Sequence, residues 1–482
     1  MKESKETTSK QEKLIAIKQP RKRNDPGGLV KTATILTGSP EFIFQQARET
    51  AEDTAADITL THIPGLGKAG IVESHAAAHL MLSDAENALR DPKVTKIIEN
   101  LLGGPGPLTV NGNHPGASAV TKAFGTYQLR QSGFMNSLYK NQLGFLENLA
   151  NKKDKTFDEI AGEQNIEFLA KAFFNDKITP EQMNEVFQYV NSIFGAVLIF
   201  APLKMNETML RFVPGGFKER KDSADKILNN LINDRLKNPS SEEVKFDLLD
   251  FLLKRMPEPI RVEGMTNRKY QSLHKKWLGE IRSTIYQVTF AAKDTTDAAL
   301  GFSWLHLSKP ENFEEQNELR AHARSFFAKK EGKNITFSDL ESGDKDILPF
   351  LKFFGHRLAE NSPTPIDMRL LKSDVAVSGE KILKKGTSLV FDLQNCAQDQ
   401  ELKYGYDYQT PDDLAESVVF GSGPNSCKGA WFAIAKGITN IMTILNETDR
   451  VEQSPDSAPI IIVKSTQHVE GLRLNVIKRK IV

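Results

Sequence analysis

The stretch from Glu280 to Leu307 constrains the fold of this chain more than any other segment. Its 28 residues contain no proline and a single glycine, Gly301, and Pro310 follows its end. Apolar side chains recur there at intervals of three and four residues, which is the period of one helix face. A helix of this length is about 42 Å long at 1.5 Å per residue. We therefore predict one long helix that crosses the core of a mainly helical domain.

The middle of this predicted helix, "AAKDTTDAAL", is unusual because Asp294, Thr295 and Thr296 are poor helix formers. One interpretation is that Asp294 caps the start of a second helix, with Asp297 three residues later. The other is that a hydroxyl and a carboxylate loosen the helix locally and face a pocket. Thr295 falls on the apolar face, and the residues alone leave both interpretations open.

The composition excludes several classes of protein. With 39% apolar and 26% charged residues the chain is typical of a soluble globular protein, and a net charge of +1 gives no indication of nucleic-acid binding. Two cysteines cannot form a disulfide framework, which predicts a reduced, cytoplasmic chain. The longest apolar run, residues 193–203, is shorter than the roughly 20 residues that cross a bilayer. We expect no transmembrane anchor, and interpret the run as a buried helix end or the roof of a substrate channel.

The domain organisation is simple. Residues 1–28 are polar and lysine-rich, which predicts a disordered tail. Residues 29–482 contain no long Gly/Ser/Pro linker and are predicted to form one large domain. Helices are predicted at 42–58, 222–237 and 240–256. Strands are predicted mostly late in the chain, at "DVAVSG", "TSLVFDL", "APIIIVKS" and "GLRLNVIKR".

The segment "FGSGPNSCKG", residues 420–429, contains Cys427. The simplest interpretation is a turn with a buried, inert thiol. However, Gly421 and Gly423 permit backbone conformations closed to other residues, and the sequence that follows is typical of a helix. Cys427 would then lie near a helix N-terminus, where free N–H groups favour a thiolate and hence a soft metal ligand. The other cysteine, Cys396, lacks such a turn and is interpreted as a buried packing residue.

The same segment resembles the haem-ligand signature of the cytochrome P450 superfamily, Phe-x-x-Gly-x-x-x-Cys-x-Gly, through Phe420, Gly423, Cys427 and Gly429. The predicted long helix is similar to the central helix of that family, whose Ala-Gly-x-Asp-Thr-Thr is here "AAKDTT", starting at Ala291. The segment "RLLKSDVAVSGEKILKKG" between them resembles a strand pair of the family. Good matches span roughly residues 280–482.

The resemblance implies a cytochrome P450-like fold, mainly α with small appended β-sheets, enclosing haem b. It implies that Cys427 is the axial thiolate, which favours O–O cleavage, and that Asp294 and Thr295 deliver protons. Arg369 and His114 would bind haem propionates. Phe420, Gly423, Gly429 and Ala291 would also contact the haem.

The implied activity is that of a monooxygenase, which inserts one oxygen atom from O2 into an apolar small molecule or lipid. Electrons would come from NAD(P)H through a separate partner, a ferredoxin, flavodoxin or reductase, because no reductase domain is recognised in this chain. Two alternatives stay open. One is a partner-independent enzyme that converts peroxides or hydroperoxides, and the other is a non-catalytic haem-binding protein.

Several residues of the family pattern are replaced, which favours the non-catalytic alternative. The glutamate of Glu-x-x-Arg is Phe354, and a later arginine is Asp413. Asn425 and Ser118 stand where the family has cations near the haem propionates. Because a buried arginine needs a counter-charge, we predict a direct pair between Arg357 and Asp413.

Overall fold

Helices make up most of the protein, whose computed structural model describes residues 17–18, 58–63, 67–84, 86–112, 114–175, 177–203, 216–239, 247–331, 334–364, 366–378, 381–405, 408–463 and 466–479. In this part of the chain the helices are α1 (His75–Ser83), α2 (Pro92–Leu102), α3 (Pro115–Phe124), α4 (Thr126–Leu129), α5 (Ser132–Asn151), α6 (Phe157–Phe174), α7 (Pro180–Leu203), α8 (Phe217–Lys237), α9 (Leu248–Arg255), α10 (Asn267–Leu307), α11 (Phe313–Lys329), α12 (Phe337–Glu341), α13 (Leu348–Glu360), α14 (Leu393–Tyr404), α15 (Pro411–Ala415) and α16 (Ala430–Glu447). The predicted mainly α domain with small sheets is confirmed.

The predicted long helix is α10, and it begins earlier than expected. The Thr266 side chain caps it by accepting from the Lys269 N–H, and the helix continues without a break through Asp294. The interpretation of Asp294 as the cap of a second helix is therefore wrong. Ile281 and Trp304 are fully buried, and α10 packs against α6, α7 and α16, as expected of a helix that crosses the core.

The largest sheet combines strands from the first 90 residues of the chain with two strands from residues 366–392. Its order is β1 (Ile17–Lys18), β2 (Ile58–Ile63), β3 (Gly67–Val72), β8 (Ser388–Asp392), β5 (Ile366–Leu371) and β4 (Ala88–Arg90). Two-stranded sheets are formed by β6 (Val375–Ser378) with β7 (Lys381–Leu383), by β9 (Thr448–Gln453) with β12 (Leu474–Lys478), and by β10 (Ile460–Val463) with β11 (Gln467–Glu470). Because β4 and β5 are antiparallel, Arg90 lies directly opposite Arg369.

The four predicted strands are confirmed as β6, β8, β10 and β12, and the helix predicted at 222–237 lies within α8. The helix predicted at 240–256 is the shorter α9, which Asp247 caps by accepting from the Leu249 N–H. The helix predicted at 42–58 lies outside the described residues apart from Ile58, which belongs to β2. Of the predicted tail, only Ile17–Lys18 is described, and these two residues form β1. Disorder at the other tail residues remains a prediction.

The apolar run 193–203 forms the end of α7, with Pro202 in its last turn. Within the ranges that the structure describes, no helix combines the length and apolar character needed to cross a membrane.

Candidate active site

The cysteine loop, residues 418–429, begins with a 3-10 turn at Val418–Phe420 and leads into α16. Gly421 and Gly423 have φ values of 73° and 69°, in the region that favours glycine. A Cβ on Gly423 would also lie 2.8 Å from Ser83 Cα in α1. The Cys427 N–H donates to the Phe420 carbonyl at 2.7 Å, which closes the loop. Two strained turns and this hydrogen bond therefore fix Cys427 just before α16.

The Cys427 thiol is accessible, and enough protein atoms lie around it to affect its pKa. Burial raises the pKa of this thiol, and it outweighs the opposing effects of the Gly429 N–H, which donates to the sulfur, and of the Lys428 charge. The helix start alone therefore does not stabilise a thiolate, contrary to the expectation from the sequence. A metal cation bound at the sulfur would provide the missing stabilisation.

Cys396 differs from Cys427 in its position and its accessibility. It lies in α14 and is completely buried, and its thiol contacts the Val72 carbonyl at 3.4 Å. Burial, with Asp392 and other carboxylates nearby, raises the pKa of this thiol well above its usual value. Its interpretation as a packing residue is confirmed.

The Asp294 carboxylate is buried and faces the β10–β11 hairpin. Its Oδ2 accepts from the Thr466 hydroxyl and lies 3.2 Å from His468 Nε2. The Thr466 hydroxyl also lies 2.6 Å from the same ring nitrogen. Burial raises the pKa of Asp294, but His468 and Thr466 outweigh it, so the pKa lies below its usual value and the carboxylate is ionised at neutral pH. Thr466 and His468 carry no motif that could have been recognised in the sequence.

Thr295 makes a different contact from its neighbour Asp294. Its hydroxyl donates to the Ala291 carbonyl at 2.7 Å, one turn earlier in α10. This bond uses the hydroxyl proton and leaves the oxygen able to accept a hydrogen bond. Ala292 and Phe420 are both half-buried and pack against the same hydrophobic cluster, so α10 and the cysteine loop border one core.

Two buried donors near the cysteine loop have no acceptor within the chain. Arg369 on β5 is 3% exposed; its Nη1 donates to Asp367 and, at 3.1 Å, to the Met368 carbonyl, while its Nε has no partner. Asn425 accepts from the Gly112 N–H at 3.4 Å through Oδ1, while its Nδ2 has no partner. These two donors are therefore available to an acceptor that does not belong to the chain.

His114 caps the start of α3 rather than standing alone in a loop. Its Nδ1 accepts from the Gly116 N–H at 3.1 Å, which assigns the proton of the neutral ring to Nε2. Burial lowers the pKa of His114, so the ring is neutral at neutral pH. His114 can therefore donate one hydrogen bond but offers no positive charge.

The predicted pair between Arg357 and Asp413 is wrong. The Asp413 carboxylate accepts from the backbone N–H groups of Gln409 and Thr410, the latter at 2.7 Å, in the capping box of α15. Arg357 instead pairs with Glu360, three residues later on α13, at 2.8 Å, and contacts His306 at the end of α10, also at 2.8 Å.

Phe354, which replaces the glutamate of the family motif, packs on a glycine of α16. A Cβ on Gly437 would lie 2.5 Å from Phe354 Cε2, closer than real Cβ atoms approach a neighbour. We therefore expect Gly437→Ala to lower the free energy of unfolding by about 1–3 kcal/mol or more through overpacking. Chemical denaturation of the wild type and of Gly437→Ala measures this difference in the free energy of unfolding. Phe354→Leu should reduce the penalty in the double mutant, and an unchanged penalty would show that the ring does not cause it.

A second group of buried charges lies between α6, α10 and α16. Lys293 pairs with Asp297 at 2.9 Å, and Asp297 also accepts from Asn165. Lys436 on α16 has its Nζ 5.7 Å from the centroid of the Phe168 ring. Burial lowers the pKa of Lys436 to about 8, against the opposing charge of Asp297.

This low pKa predicts a pH dependence of stability. Between pH 8 and 10.5 the unfolded chain holds a proton on Lys436 that the folded chain has lost, so the stability of the folded state rises with pH in that window. Below pH 8 the folded and the unfolded chain both hold this proton, so the full cost of burying the charged Lys436 lowers the stability. Relative to Lys436→Met, the wild type should gain up to about 3 kcal/mol across the window, measured by urea unfolding at each pH. A constant difference between the two proteins would contradict this assignment.

The comparisons with known proteins agree with the sequence motifs but are limited in extent. Over 198 residues the chain is 24% identical to "Cytochrome P450 52-M1" of Starmerella bombicola. The match covers 36% of this chain and 35% of that protein, so it spans about a third of the length of this curated relative. No family model matches the chain. The match indicates a distant relationship to the cytochromes P450, with which the mainly helical fold is consistent.

Proposed function

We propose that this protein is a haem-thiolate oxidoreductase, and that it acts as a monooxygenase on an apolar small molecule or lipid. The observation that carries the proposal is the accessible Cys427 thiol, which two glycine turns hold under a backbone N–H donor. The distant relationship to a cytochrome P450 supports the same chemistry.

The residues around Cys427 fit haem b. The Cys427 sulfur would hold the haem iron, and the Gly429 N–H that donates to the sulfur would moderate its charge. Arg369 Nε and Asn425 Nδ2 are buried donors without acceptors, and the propionates of haem are acceptors. His114 adds a neutral donor, Nε2–H. Phe420, Gly423, Gly429 and Ala291 would contact the ring, as the sequence motifs imply. When bound, haem provides the electron-rich iron at which O2 is activated.

Asp294, Thr466 and His468 form the proposed route for protons. His468 is 21% exposed at its side chain and lies next to the buried Asp294 carboxylate, so it can take a proton from solvent and pass it inward. The ionised Asp294 would take up that proton only transiently, as the neutral acid, and return to the carboxylate when the proton passes on by way of the Thr295 hydroxyl, whose oxygen can accept a hydrogen bond. Electrons come from NAD(P)H through a separate ferredoxin, flavodoxin or reductase.

One observation favours the second candidate, a partner-independent enzyme that converts peroxides. The Asp294 carboxylate is engaged by the hairpin rather than by Thr295. A peroxide brings its own oxygen and protons, so a reaction with peroxide depends less on a route between these residues.

Isotope labelling distinguishes the two candidates. The haem-loaded protein is incubated with a mixture of fatty acids, alkanes and terpenes under ¹⁸O2, with NADPH, ferredoxin and ferredoxin reductase. A monooxygenase should give products with one ¹⁸O atom, and omission of NADPH should abolish them. Products that form with cumene hydroperoxide alone, and none with NADPH, would support the peroxide enzyme. No product under either condition would support a non-catalytic haem protein.

A further inference from the structure

The strand pair β4–β5 holds two arginines in an unfavourable arrangement. Arg90 and Arg369 are directly opposite each other, and like charges at such positions destabilise a sheet. Burial and the Arg369 charge lower the pKa of Arg90 to about 10, while Asp367 opposes them. Arg90 is therefore still charged at neutral pH. The two guanidinium groups share one carboxylate, that of Asp367, which already accepts from Arg369.

Arg90 is fixed in place by the loop that leads to the cysteine loop. Its backbone N–H donates to Asn111 Oδ1 at 2.7 Å, and its Nη1 donates to the Pro107 carbonyl. One residue after Asn111, the Gly112 N–H donates to Asn425 Oδ1. The charge of Arg90 also helps burial to lower the pKa of Lys428, beside Cys427. Arg90 therefore lies close to the cysteine loop.

Arg90, Arg369 and Asn425 could all donate to one further acceptor that carries a negative charge. Arg369 Nε and Asn425 Nδ2 are buried donors without a partner, and Arg90 adds a positive charge that the shared carboxylate of Asp367 does not balance. A carboxylate matches this set, because it accepts several hydrogen bonds and pairs with guanidinium in a fixed geometry.

We infer that Arg90, acting with Arg369 and Asn425, binds a propionate carboxylate of the haem that Cys427 ligates. The inference rests on the proposed function. In this inference Arg90 provides a positive charge near the propionates, where the resemblance implies cations at the positions of Asn425 and Ser118. Arg90 comes from a strand outside all the motifs recognised in the sequence.

Titration of apo-protein with haem tests the inference through binding rather than activity. Arg90→Gln should weaken haem binding about tenfold to a hundredfold, the range expected for the loss of one hydrogen bond between charged groups. Arg90→Lys keeps the charge but not the planar geometry of the guanidinium, so it should bind haem more tightly than Arg90→Gln and more weakly than the wild type. The dimethyl ester of haem has no carboxylates, so wild type and Arg90→Gln should bind it equally well. Without haem, Arg90→Gln should melt at a higher temperature than the wild type, because it removes the repulsion from Arg369.

Arg320→Gln is a matched control. Arg320 is also a buried arginine whose pKa burial lowers to about 10, but it lies on α11 and pairs with Gln316 and Asn317. This variant should bind haem as the wild type does.

The remaining outcomes overturn the inference in recognisable ways. Equal loss of affinity for haem and for its ester would mean that Arg90 acts only on the structure. If Arg90→Gln binds haem like the wild type but binds laurate more weakly once haem is present, the carboxylate belongs to a substrate. Failure of the wild type itself to form a thiolate-type haem spectrum would refute the proposed function as well. A normal wild-type spectrum with unchanged binding by Arg90→Gln refutes this inference alone.

Discussion

Asp294→Asn should lower the rate of product formation about a hundredfold, while the substrate still binds. The amide is close in shape to the carboxylate but cannot take up a proton, as the proposed route through His468 requires. General acid–base catalysis typically contributes factors of 10² to 10⁴, which sets the expected size of the loss. NADPH consumption should continue and release hydrogen peroxide, because electron transfer does not depend on this carboxylate. Thr295→Ala should shift the ratio of peroxide to product in the same direction. The measurements are the ratio of product to NADPH consumed and the spectral change on substrate binding.

Asp297→Asn is the matched control, since Asp297 is a second buried carboxylate one turn further along α10. It pairs with Lys293 and Asn165 instead of the hairpin, so its substitution should leave the product yield per NADPH unchanged. Equal losses in both variants would assign the effect to the packing of α10. An unchanged yield in Asp294→Asn would mean that Asp294 only anchors the hairpin.

The sequence predicted the elements whose signals are local. The apolar stripe of α10 could be recognised from the period of its side chains, and β6, β8, β10 and β12 could be recognised as short runs rich in apolar and β-branched residues. The start of α10 at Asn267 was missed because residues 267–276 are largely polar and exposed, although Tyr270, Leu273 and Trp277 continue the stripe of Ile281 at intervals of three and four.

The error at Asp413 was avoidable. Thr410 and Asp413 have the spacing of a capping box, and this local bond determines where the carboxylate points. Glu360, three residues after Arg357, was an equally local signal for the true partner of that arginine. Reasoning from the positions of a family motif gave the wrong pair because short-range hydrogen bonds decide both contacts.

The residues that complete the candidate site could not be predicted from the sequence, for a different reason. Arg90 lies opposite Arg369, and Asp294 accepts from Thr466, only because distant segments of the chain pack together. β4 is three residues long, too short for a periodic pattern. Contacts of this kind follow from the fold, and single-sequence patterns do not contain them.

Cys427→Ala should abolish the thiolate-type absorption of the haem-loaded protein completely. Cys427 is the cysteine that combines accessibility, a fixed turn and a backbone donor at its sulfur. Alanine provides no ligand, and no other thiol can replace it, because Cys396 is completely buried in α14. Cys396→Ala is the control. It should cost about 1 kcal/mol of stability through a small cavity and leave the spectrum unchanged.

The most direct test of the account is the optical spectrum of the reduced protein exposed to carbon monoxide. The wild type and Cys396→Ala should both show the red-shifted band typical of thiolate ligation, and Cys427→Ala should lack it. Loss of the band in Cys396→Ala but not in Cys427→Ala would contradict the assignment of the ligand. Absence of the band from a wild-type protein that contains stoichiometric haem would contradict the haem-thiolate function itself.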